Sequence, residues 1–145
     1  MFILFAFLFS STARATLGEH QSKIDANESV KLSVRSHKVV TSVNYSVHEL
    51  LIDGTLVKEF ADASGKVFAV SWRGIKIPNF EVLFGSYFSE FKSARENVTP
   101  VRGHRAVSVK TDSLVFHQAG SSRNLSGMIF VPSLVPKNVN MQGIQ

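Results

Sequence analysis

Between residues 79 and 96 the chain places Phe80, Leu83, Phe84, Tyr87, Phe88 and Phe91 at intervals of three and four. Successive residues of an α-helix turn by about 100°, so these six side chains fall along one side of a single helix. An apolar stripe of that width has to be covered by another apolar surface. Pro78 ends the preceding segment, and Asn79 offers a side-chain oxygen to the free amides of the first turn. Glu81 stands near the helix start and Lys92 and Arg95 near its end, as the helix dipole favours. Gly85 is the odd member, because glycine costs about 1 kcal/mol against alanine in a helix interior. A close approach to the covering layer would offset that cost. The stripe reads as core rather than as a ligand box.

The covering layer is legible as strands. Tyr45 to Ile52 and Thr55 to Ala61 are rich in strand formers and are joined by Asp53-Gly54. That dipeptide supplies the positive φ values that a tight hairpin turn needs. Ala63-Ser64-Gly65-Lys66 predicts a second turn, and Val67 to Trp72 a third strand. Strict alternation there would put Phe68, Val70 and Trp72 on a core face and Val67, Ala69 and Ser71 on the other. Further on, Ala106 to Lys110 and Ser113 to His117 predict a hairpin around Thr111-Asp112. Gly120 to Asn124 reads as a polar turn, Gly127 to Val131 as a last strand, and the tail beyond Pro132 as irregular. Upstream, residues 16–29 read as a polar lead-in, and Val30, Leu32 and Val34 alternate as a strand would. The expected fold is α+β: an antiparallel sheet of about five or six strands packed against one amphipathic helix. Residues 16–145 form one domain in this reading.

The first residues have a different character. Phe2 to Phe9 is an unbroken apolar run, followed by Ser10, Ser11, Thr12 and then Ala13-Arg14-Ala15. A short apolar core ahead of an Ala-x-Ala site is the pattern of a secretory signal peptide. The run is too short to span a bilayer, which takes about 20 apolar residues. Residues 1–15 are therefore expected to be a leader cut after Ala15, and the protein to be periplasmic or secreted. The composition agrees with a folded domain. With 44% hydrophobic and 19% charged residues the chain does not have the makeup of a disordered segment. It has no cysteine, so disulfides, cysteine-ligated zinc and iron–sulfur clusters are excluded.

No arrangement of residues assigns a reaction. The histidines, His20, His37, His48, His104 and His117, include no pair at helical spacing, so no His-Glu-x-x-His zinc site exists. Ser89-Glu90-Phe91-Lys92 matches Ser-x-x-Lys, but the companion motifs of that enzyme class are absent. There is no Gly-x-Ser-x-Gly elbow and no glycine-rich phosphate loop. Asn-x-Ser/Thr triplets at Asn27, Asn44, Asn97 and Asn124 read as incidental. The excess of 16 Lys+Arg over 11 Asp+Glu is modest. Nucleic-acid binding would ask for a denser basic stripe with exposed aromatics. One basic cluster, Arg102, His104 and Arg105 with Lys110 nearby, reads first as a solvated loop, and its chemistry would also suit an anionic ligand or a lipid headgroup. No catalytic residue, metal or cofactor is expected, and the partner is an unidentified protein or envelope component. The expected function is a non-catalytic exported binding or envelope-associated module. The rival is a small exported hydrolase or metalloenzyme, supported by the histidines and many serines.

The block Gly65-Lys66-Val67-Phe68-Ala69-Val70-Ser71-Trp72-Arg73-Gly74, with Pro78 and Leu83-Phe84-Gly85-Ser86-Tyr87-Phe88 after it, resembles a bacterial exported family of unknown function, family 2844. Tyr45 to Glu49, Gly54 to Phe60 and the Val131-Pro132…Val135-Pro136 pair are similar as well. The likeness runs from Leu17-Gly18 to Ile144-Gln145. It departs at Ile75, where the family often has proline, and at Gly120-Ser121-Ser122-Arg123, where the family has a Gly-His-Met-Arg-like stretch. The resemblance implies export and a shared fold, and no activity.

Overall fold

Asp53 and Gly54 set the first hairpin, with φ of 50° and 81°. Both being positive, the turn twists with its flanking strands, and pairing then runs in register from Ile52↔Thr55 to Ser46↔Ala61. This hairpin belongs to a computed structural model that describes residues 17–20, 34–99, 106–121 and 123–144, with backbone alone for 34–37. Its strands are β1 (Val34–Thr41), β2 (Ser46–Ile52), β3 (Thr55–Ala61), β4 (Val67–Gly74), β5 (Val107–Lys110), β6 (Val115–Ser121) and β7 (Asn124–Phe130). They form one antiparallel sheet in the order β1-β2-β3-β4-β7-β6-β5.

The α+β class is as expected, and the described sheet has seven strands, somewhat more than the sequence suggests. β6 and β7 run through the stretch that reads as a polar turn, pairing as far as Ser121↔Asn124. Ladder hydrogen bonds there are made by backbone alone, so polar side chains do not end the strands. Most of the polar lead-in, with Val30 and Leu32, lies outside the described residues, and Val34 opens β1.

The helical segment covers the expected range but is broken. It consists of α1 (Phe80–Phe84), a 3-10 turn at Gly85–Tyr87, and α2 (Phe88–Glu96). Asn79 caps α1 as expected, its Oδ1 accepting from the Val82 amide at 3.3 Å. Gly85 has φ 51° and ψ −123°, a conformation that L-side chains rarely adopt. Glycine accepts this conformation without strain, and the helix is interrupted there. The apolar stripe survives because a 3-10 turn completes a full rotation in three residues. Phe80 and Phe84 stack at 4.7 Å, Trp72 lies 4.9 Å from Phe80, and Phe91 meets Phe116 of β6 at 4.6 Å. Leu50, Val57, Val70, Trp72, Phe116 and Ile129 form the sheet side of this core.

β4 does not alternate strictly. Phe60 pairs with Ala69 and Ala61 with Val67, so Phe68 is an extra residue, a β-bulge. Beyond it Val67, Val70 and Trp72 belong to the helix-side core, whereas Phe68 and Ala69 join Phe60 on the opposite face. Both faces of β4 are therefore buried. The second is covered by the C-terminal tail, whose turns at Pro132–Leu134 and Met141–Gly143 carry Leu134, Val135, Val139 and Ile144 onto Phe60, Phe68 and Phe130. The tail lacks regular structure but is a packing element.

Candidate functional site

On β5, alternation sends Val109 into the core, where it is 2% exposed, and leaves Ser108 and Lys110 exposed on the tail-side face. Opposite them on β6, Ser108 pairs with His117 and Lys110 with Val115. Ser108 Oγ and His117 Nδ1 are 2.9 Å apart. An exposed cation, an imidazole and a hydroxyl thus share one face at the β5 edge. Of the basic residues singled out from sequence, Lys110 is in this group. Arg102, His104 and Arg105 lie outside the described residues. The sequence signal for Ser108 and His117 was slight: two polar residues flanking a short turn, nine apart.

The same backbone register sets Lys38, Glu49 and Lys58 at one end of a row across this face and His117 and Ser108 at the other, with buried Ser71 and the partly buried Met128 of the tail-side cluster between them. Glu49 and Lys58 pair within it at 3.3 Å. A partly exposed pair of this kind contributes at most about 1 kcal/mol. The turn at the β5 edge is held firmly. Thr111 Oγ1 accepts from the amides of Ser113 and Leu114 and donates to Glu90 of α2, which ties the helix to this corner.

Chemically, Ser108 and His117 offer donors and a titratable ring. Both are open to water, and among the described residues no hydrogen bond holds the ring from its other nitrogen. The other motifs are separated. Ser89 and Lys92 are exposed on α2. His20 stands near Ser64, and His48 faces away from Glu49 on β2, with Glu49 turned to Lys58. Among the described residues no three His, Asp or Glu side chains gather as metal ligands. An open groove of about 520 Å³ lies along the broken helix, floored by Phe80, Phe88 and Phe91.

Two carboxylates were not anticipated. Glu59 sits on the helix-side face of β3, 3% exposed, with Oε2 unpartnered. Burial pushes its pKa up to about 8, so it is a neutral acid at pH 7. Asp62 holds the turn into β4, its Oδ1 accepting from the Ser64 hydroxyl and from the amides of Ser64 and Lys66. Burial works to raise its pKa, but those hydrogen bonds and nearby His20 outweigh it and hold the carboxyl below its usual value. Alternating strand patterns carry no sign of a buried Glu, because period two also fits a polar residue turned outward.

A family model described as a protein of unknown function (DUF2844) matches residues 13–144. No match was found among curated proteins or among solved structures.

Proposed function

The chain belongs to the DUF2844 family, and from that premise we propose that it is an exported, non-catalytic binding or envelope-associated module. In this reading residues 1–15 are a leader and residues 16–145 the periplasmic or secreted domain. The observation that carries it is the apolar run Phe2–Phe9 ahead of Ala13-Arg14-Ala15, with Leu17, a buried core residue, two residues later. N-terminal sequencing of protein recovered outside the cytosol is expected to begin at Thr16. A chain that stays in the cytosol and begins at Met1 would remove the proposal.

Within that module the contact for an anionic ligand is placed at Arg102, His104, Arg105 and Lys110. Support comes from Lys110 sharing an exposed face with His117 and Ser108. Binding to vesicles containing anionic lipid, or to inorganic phosphate, should weaken with added salt and fall several-fold in Lys110→Ala. Binding indifferent to salt counts against it. The Ser108–His117 contact is the one observation that favours the rival, a small exported hydrolase or metalloenzyme. Turnover of an activated ester that disappears in Ser108→Ala would install that rival.

A further inference from the structure

We infer that Leu17–His20 is a locking strap whose docking keeps a peptidase from the leader's cut site, so that efficient cutting needs the strap undocked. The inference rests on the leader reading proposed above.

The strap is built into the fold at every residue. Leu17 is completely buried in the helix-side core, and its amide donates to Leu83 O of α1 at 3.0 Å. The Gly18 amide donates to Val67 O at 2.8 Å, and the Val67 amide donates back to Glu19 O at 2.9 Å. His20 bridges to Lys66 and places Nδ1 3.2 Å from Ser64 O. Four residues thus join α1 to the start of β4 and to the Asp62 turn. Gly18 has φ 83°, and a Cβ there would stand 2.7 Å from Tyr87 Cε2. The position admits glycine alone without strain.

The cut and the strap compete for the same residues. Hydrolysis of the Ala15–Thr16 peptide bond by a membrane-bound peptidase consumes one water, leaving a carboxylate on Ala15 and an ammonium on Thr16. A peptidase takes its substrate as an extended segment reaching past the scissile bond on both sides. Leu17 is the second residue beyond that bond. While its side chain is in the core and its amide is held by Leu83, it cannot also lie in a peptidase cleft. A docked strap and a seated peptidase therefore exclude each other, and the cut needs the strap undocked. Local opening of a four-residue strap is the route by which a folded uncut chain could still be processed.

The test uses the full chain, refolded and offered to detergent-solubilised signal peptidase, with and without mild denaturant. The native chain is expected to be cut at least about tenfold more slowly than the loosened one, as local opening would limit the rate. Gly18→Ala, which disfavours the docked strap, is expected to speed the native cut. In the cut protein the amides of Leu17, Gly18 and Val67 are expected to exchange slowly with solvent, and in Gly18→Ala faster. That readout holds even where a variant refolds poorly in the peptidase assay. Equal cutting of native and loosened chains, or fast exchange at all three amides, overturns the strap alone. No cut after Ala15 even in denaturant overturns the leader reading and the strap with it.

Discussion

Phe84 is completely buried and touches Trp72, Phe80, Phe91 and Phe116 within 6.1 Å. Truncating such a ring leaves a cavity that neighbours only partly fill. Phe84→Ala is expected to cost about 3–5 kcal/mol in denaturant unfolding, and a loss under about 1 kcal/mol would mean that the stripe is not core. Glu59 sets a pH dependence. The unfolded chain releases this proton near 4.5 and the native protein near 8. Between those values the native state holds a proton that the unfolded state lacks, so stability falls as pH rises. The contribution is whole below pH 4.5 and gone above about 8, at a slope on the order of 1.4 kcal/mol per pH unit. Glu59→Gln cannot ionise, so it should flatten that slope and make the protein more stable than wild type at pH 8. Parallel stability–pH curves for the two proteins would show that Glu59 does not titrate in this way.

The broken helix shows what the sequence carries and what it hides. Asn79, the stripe and Asp53-Gly54 were all legible, because each acts through its own local geometry. The 3-10 turn was not. Gly85 was visible, but a single three-residue 3-10 turn displaces the helical period by less than one residue, so the pattern held no sign of the break. The two readings of Gly85 predict opposite signs. In a regular helix Gly85→Ala would stabilise by about 1 kcal/mol. With φ at 51° and ψ at −123° it is expected to destabilise by roughly 1–3 kcal/mol, measured by thermal or denaturant unfolding. The bulge at Phe68 was hidden for a related reason: an extra residue inside an apolar run leaves the composition unchanged and shifts only the facing. At the candidate site, Lys110 was legible from charge. The Ser108–His117 contact was not, because it depends on which residues of β5 and β6 stand opposite each other.

At the level of the whole molecule, the sheet is covered on one face by the helix and on the other by a tail without regular structure. The tail's role could not be read from its pattern. Its contacts come from Leu134, Val135, Val139, Met141 and Ile144, spaced by turns rather than by a helical or strand period. Ending the chain after Val131 should uncover Phe60, Phe68 and Phe130. The truncated protein is expected to bind a hydrophobic dye and to melt well below the full chain. Unchanged melting and no dye binding would mean that the tail does not pack there.

β4 is buried on both faces, so a single strand supplies side chains to two separate clusters: Val67 and Val70 to one, and between them Phe68 and Ala69, set on the same side by the bulge, to the other. Neither cluster can loosen without pulling the same backbone out of register, which binds the halves of the molecule into one melting unit. The chain carries its own reporters of this. Trp72 belongs to the helix-side cluster and Tyr45 to the tail-side one, and Tyr87→Phe silences the other tyrosine, which packs on the helix side. Their spectroscopic signals should vanish at one midpoint, whereas two separated midpoints would show that the halves part company.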